Sequence, residues 1–240
     1  MSNSASVVAV MATVATVGTV GSPVVTVRNM ERQCSVGVMT PTFFCAQLVN
    51  CVVWSIYGVL QSSFAIIACN VVGNAVATYC LLVFLAVARL EEMSGRRLPS
   101  TTYKKSRMSV IATLCIIAGV SALIVALAAA SPHGARVFNG LLGGCTSAFM
   151  LGSPLALAGT IVRNKNAEGL APLTMAFGLA NTLLWFLYGV LTGDPFIMAP
   201  NVVGALACCF QFLLLFRYGR RPGEAVAVKT AVAPLPLADA

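Results

Sequence analysis

The feature that most constrains this chain is that it contains the same unit twice. Sliding the sequence against itself by 131 positions aligns residues 21–85 with 152–216 without a gap, giving 19 identities in 65 positions. Gly21-Ser22-Pro23 meets Gly152-Ser153-Pro154, Pro41 meets Pro172, and Asn50 meets Asn181. Trp54 and Tyr57-Gly58-Val59-Leu60 meet Trp185 and Tyr188-Gly189-Val190-Leu191. Asn70-Val71-Val72-Gly73 meets Asn201-Val202-Val203-Gly204. An apolar bias could pair valine with valine, but it does not place proline, tryptophan, tyrosine and asparagine at one offset.

The solvent of the repeat follows from its composition. Only 9% of the 240 residues are charged, against roughly 25% in an average soluble domain. Such a chain in water would expose large apolar patches and aggregate. Apolar runs of about twenty residues instead match the bilayer core, because a helix rises about 1.5 Å per residue. Seven runs read this way: 5–27, 42–60, 64–88, 109–130, 137–162, 171–192 and 195–216. The first has no leucine and looks like a signal peptide, but it lacks a basic leader. As the repeat partner of the fifth run, it reads as a retained helix.

The net charge of +8 is ordered along the chain. Fourteen of the fifteen basic residues fall between runs one and two, three and four, five and six, or after run seven; only Arg136 does not. Basic loops collect on the cytosolic side, so the pattern argues for a membrane and against nucleic acid. It predicts an N-terminus outside or in a lumen and a cytosolic C-terminus. The plasma membrane is the first expectation for its location, a vacuolar or other endomembrane the second.

Four crossings separate run one from run five, so equivalent helices point the same way. The expected fold is an all-α integral membrane protein with seven transmembrane helices, as two parallel three-helix bundles joined by a linker helix (3+1+3). The divisions are residues 1–88, 89–131 (cytosolic loop and linker helix), 132–218 and 219–240 (a short cytosolic tail). Run four has no repeat partner, and its task is to reverse the chain so that the second bundle inserts in parallel. Gly140, Gly143 and Gly144 in run five suit close helix contact.

Proline inside a helix removes a backbone hydrogen bond. Pro23 and Pro154 lie within runs one and five, and Pro41 and Pro172 start runs two and six. As a matched set near the cytosolic side they read as hinges of a cytosolic gate. Trp54 and Trp185 lie deeper than an interfacial belt, and a flat apolar ring suits the C–H face of a sugar. Asn70 and Asn201 sit at the same depth, where an amide must face a partner or a wet cavity. An amide both donates and accepts, which matches a vicinal diol. These four residues are the candidate substrate contacts; Asn50 and Asn181 read as helix packing.

The seven acidic residues lie in loops, run ends or the tail, and no basic residue or histidine lies in mid-span. Coupled transport usually needs a buried ionisable or unwound carbonyl site, so the simplest mechanism is uncoupled, downhill movement of a neutral solute. Millimolar binding is about −4 kcal/mol, within reach of two amides at about 1 kcal/mol each plus ring contact. No nucleophile–base pair and no metal-ligand spacing appears, so neither an enzyme, a cofactor nor a metal is expected. The nine cysteines sit mostly inside the runs and read as small buried residues.

Over residues 15–218 the chain resembles the SWEET family of bidirectional sugar facilitators. The likeness rests on the 3+1+3 plan, W-x-x-Y-G in both copies, the Met39-Thr40-Pro41 and Gly152-Ser153-Pro154 regions, and D-P-F-x-x-x-P-N from Asp194 to Asn201. SWEETs are themselves a standing example of parallel repeats, so that agreement is not independent. The resemblance implies a proline set at Pro23, Pro41, Pro154 and Pro172, sugar contacts at Asn70, Asn201 and Trp185, and an outer gate contact from Tyr57 to Asp194. Many plant members carry a small residue where this chain has Trp54. Two tryptophans would shrink the cavity and favour a monosaccharide over sucrose. The expected partners are a small sugar and membrane lipid, with a homo-oligomer left open.

The nearest rival is a PQ-loop transporter of an amino acid or other small solute. It would carry Pro-Gln where this chain has Pro41-Thr42 and Pro172-Leu173, and typically buried acids. A seven-helix receptor ranks lower, because signalling requires no 131-residue repeat.

Overall fold

In hydrocarbon every backbone amide must find its partner within the protein, so apolar runs of this length become helices. The structure, a computed structural model, describes residues 3–37, 39–95, 102–150 and 152–220, except the side chains of residues 152–156. The middle of the basic connector (Arg96, Arg97 and Pro99 among it) and the tail beyond Arg220 lie outside the described residues.

Nine helices occupy the described residues: α1 (Asn3–Val20), α2 (Ser22–Gln33), α3 (Thr42–Leu60), α4 (Phe64–Met93), α5 (Tyr103–Ala130), α6 (Pro132–Met150), α7 (Gly152–Asn164), α8 (Pro172–Thr192) and α9 (Pro195–Tyr218). Six spans among them are long and apolar enough to cross a membrane: Asn3–Gln33, α3, α4, α5, α8 and α9. The protein is therefore an all-helical, multi-pass membrane protein.

Run one, which reads as a continuous helix, breaks between Val20 and Ser22. Pro23 explains the break, since it has no N–H for the carbonyl of Thr19. The chain tightens instead, with the Val24 N–H bonding the Gly21 carbonyl at 3.1 Å. Pro154, the repeat equivalent of Pro23, lies near the start of α7. Pro41 caps α3 and Pro172 opens α8, where a missing N–H costs nothing.

Glu91 and Glu92, placed by sequence beyond the third run, lie on α4, which continues to Met93. Glu91 is buried because it has work to do: its carboxylate accepts from Ser35 Oγ at 2.8 Å and from the Val36 N–H at 2.9 Å. It thereby ties the α2–α3 connection to the end of α4. In the second copy the equivalent amide, that of Ala167, is held by the carbonyl of Gly219 at 2.9 Å.

The helices pack as a closed ring in the order α1, α4, α3, α6, α9, α8 and back to α1, with α5 outside it against α3, α4 and α6. Missing side chains set the closest approaches. A Cβ on Gly58 would lie 2.9 Å from Ile67 Cγ1, and one on Gly189 would lie 2.7 Å from Met198 Cγ. Each copy thus needs the glycine of its Tyr-Gly pair where the α3–α4 and α8–α9 hairpins cross. The leucine-free α1 works the same way, burying Ala9 and Ala12 against Trp185 and Tyr188. On α6, Gly140 and Gly143 make room for Phe196 and Trp54, whereas Gly144 faces open space within 4 Å.

Candidate substrate cavity

The ring encloses a cavity of about 230 Å³, lined by Trp54, Asn70, Trp185 and Asn201 together with ten other residues. All four predicted contacts are therefore brought to one place. Twelve of the fourteen lining residues form six pairs separated by 131 positions, which sets the cavity on the axis relating the two copies. These pairs are 16/147, 50/181, 54/185, 66/197, 69/200 and 70/201. Ligand pockets run from about 300 to 1,000 Å³, so this one suits a small molecule.

Each predicted asparagine is held by its own helix. Asn70 Nδ2 donates to the Ile66 carbonyl at 2.8 Å, and Asn201 Nδ2 donates to the Ile197 carbonyl at 2.7 Å. Neither Oδ1 has a hydrogen-bond partner among the described residues, and both residues line the cavity, so both oxygens are free to accept there. Asn50 and Asn181, expected to serve packing, line the same cavity and also bond across helices.

The indoles are oriented by hydroxyls that the sequence reading passed over. Trp185 Nε1 donates to Thr16 Oγ1 at 2.7 Å, and Trp54 Nε1 donates to Ser147 Oγ at 3.1 Å. Thr16 and Ser147 are again 131 apart. Each bond joins one half to the other: Thr16 on α1 meets α8, and Ser147 on α6 meets α3. The repeat offset, extended beyond the aligned window, would have found them.

Below each tryptophan lies a tyrosine, one helical turn on. Trp54 meets Tyr57 and Trp185 meets Tyr188 edge to face, with ring centroids 5.4 and 5.5 Å apart. Tyr57 Oη donates toward Asp194, at 2.9 Å from Oδ1 and 2.8 Å from Oδ2, and Gln61 Nε2 reaches both the phenol and the carboxylate at 2.9 Å. The predicted gate pair is thus in contact and buried. Its repeat equivalent also exists: Tyr188 Oη lies 2.8 Å from Ser63 Oγ. These contacts join the two halves at this end of the cavity. At the other end, α2 packs only on α1 and α4, and α7 only on α6 and α9, so among the described residues the halves do not meet there.

A family profile described as "sugar efflux transporter for intercellular exchange" matches residues 6–92 and 138–223, at close to the internal repeat offset. The chain belongs to this family. It is 28% identical over 211 residues to the bidirectional sugar transporter SWEET1a of Sorghum bicolor, covering 85% of this chain and 73% of that one. It is 25% identical over 208 residues to the bidirectional sugar transporter SWEET1 of Arabidopsis thaliana, covering 85% and 78%. Its fold matches the solved structure of a eukaryotic SWEET transporter with a TM-score of 0.74, at 21% identity, over 89% of this chain and 98% of that one.

Proposed function

We propose that the protein moves a small neutral sugar, a monosaccharide, down its gradient in either direction by alternating access. The observation that carries this reading is the paired lining of the cavity: two indole faces and two asparagine oxygens, related by one offset, around a space of about 230 Å³. Indoles cover the C–H face of a pyranose, and the amides answer its hydroxyls. Trp54 narrows the space against a disaccharide.

The seven-crossing plan supports the same reading. Taken together as one span, α6 and α7 supply the crossing that makes two parallel bundles, residues 1–88 and 132–218, with α5 as linker. Arg28 and Arg32 on α2 and Arg163 on α7 then mark the cytosolic side. On that orientation the N-terminus lies outside or in a lumen and the C-terminus in the cytosol, with the plasma membrane the first assignment. The Tyr57–Asp194 latch closes the outer end, and the conformation is inward-facing. Pro23, Pro41, Pro154 and Pro172 are the hinges about which the inner ends approach each other.

The test is uptake of labelled glucose, fructose and sucrose into proteoliposomes, with and without a pH gradient, alongside Asn201→Ala. Glucose or fructose should equilibrate without accumulating, sucrose should lag, and Asn201→Ala should lose at least tenfold in uptake. Accumulation driven by the gradient would exclude a uniporter. Faster sucrose flux would sink the monosaccharide preference, and unchanged uptake in the variant would remove Asn201 from the site.

A further inference from the structure

The two hydroxyls that orient the indoles also contact asparagines, and they do not do so equally. An indole N–H can only donate, so Ser147 and Thr16 both accept from their tryptophans. Each hydroxyl then has one proton left to give. For Ser147 the acceptor in reach is Asn50 Oδ1, at 3.1 Å. Thr146 Oγ1 lies 2.8 Å from the same oxygen and 3.0 Å from the Gly143 carbonyl, so it can add a second donor, but the fixed one is Ser147. For Thr16 there are two acceptors at equal distance, Asn181 Oδ1 and the Ala12 carbonyl, both at 2.8 Å. One proton cannot serve both.

The consequence falls on the amides. With its oxygen committed, Asn50 must turn its NH₂ group elsewhere, and that nitrogen has no hydrogen-bond partner among the described residues on a side chain that lines the cavity. Asn181 has no such constraint. When Thr16 gives its proton to Ala12, the Asn181 amide is free to turn over. We infer that Asn50 is a substrate contact, a fixed hydrogen-bond donor to a sugar hydroxyl, with its polarity set by Ser147, and that Asn181 is not so fixed. The cavity is then chemically one-sided: the Asn50 donor complements the exposed acceptors of Asn70 and Asn201. This rests on the sugar-transport reading above.

The test uses the same labelled glucose uptake, comparing Asn50→Asp with Asn181→Asp. Aspartate keeps the oxygen that Ser147 or Thr16 needs and deletes the NH₂, and both variants place the same charge on the cavity wall. Asn50→Asp should raise KM at least tenfold, and Asn181→Asp no more than about threefold. The chain's only two tryptophans, Trp54 and Trp185, line the cavity, so their emission reports whether the indole bonds survive. It should be unchanged in Asn50→Asp. Ser147→Ala should shift the Trp54 emission and raise KM, and Ser147→Thr should restore both; this pair stands even if the aspartate variants do not fold. A KM for Asn50→Asp within twofold of wild type, equal losses in the two aspartate variants, or a Ser147→Ala variant with wild-type KM would overturn the inference while leaving the sugar carrier intact. Wild-type vesicles that take up no sugar would overturn both.

Discussion

The two copies of the tyrosine contact, proposed above as an outer latch, have one geometry and two chemistries. Tyr57 reaches across to Asp194, and Tyr188 reaches across to Ser63, with both oxygen contacts at 2.8 Å. Asp194 also accepts from Gln61 and from the N–H groups of Phe196 and Ile197, at 3.0 and 3.3 Å, so one carboxylate caps α9 and holds the latch. Ser63 stands at the same cap position of α4, but its side chain makes no cap bond. A hydrogen bond to a charged group contributes about 1.5–3 kcal/mol, a neutral one about 0.5–1.5. Duplication has preserved the shape of the latch but not its chemistry, and the charged copy is expected to be the stronger.

The comparison can be broken at its strong side first. Asp194→Ala removes the latch acceptor and the cap together and leaves a buried phenol unpaired. It should cost about 3 kcal/mol, the sum of a charged hydrogen bond and a helix cap, read as a lowered melting temperature in detergent with a fall in uptake. Tyr57→Phe should cost about 2 kcal/mol, whereas Tyr188→Phe should cost about 1; equal melting shifts would erase the proposed asymmetry. The smallest effect should come from making the copies alike. Ser63→Asp gives α4 the cap that α9 already has, worth about 1 kcal/mol, and a second charged latch. It should raise the melting temperature slightly and slow entry from the outer side, whereas faster entry would mean that this contact does not gate.

Much of this was legible because membrane helices leave few polar residues to choose among. Trp54, Asn70, Trp185 and Asn201 stood out as a repeated aromatic and amide, and they share one cavity. The Tyr57–Asp194 contact came from the family resemblance and is in place. The hydroxyls were invisible for a physical reason. Thr16 and Ser147 lie before the aligned window, where the repeat keeps size but not identity: Ala9 corresponds to Gly140 and Ala12 to Gly143. Identity counting cannot see that. Asn50 and Asn181 were assigned to packing because a single side chain can bond across helices and line a cavity at once. Glu91 was misplaced because the third apolar run ends before the helix does; a polar last turn continues α4, and its carboxylate finds donors in Ser35 and Val36.

The latch caps have one more consequence. Ser63 and Asp194 stand at the starts of α4 and α9, and Asn70 and Asn201 lie seven residues further along the same helices. That is two turns, about 10 Å of rise, on the same helical face, with Pro200 removing one backbone hydrogen bond of that stretch in α9. On the transport reading proposed above, the latch and cargo contacts share one helix on each side, so parting the latch would move the wall that holds the sugar. Flux would then be counted in whole strokes, one molecule at a time, and would saturate with concentration as a shuttle does and an open pore does not.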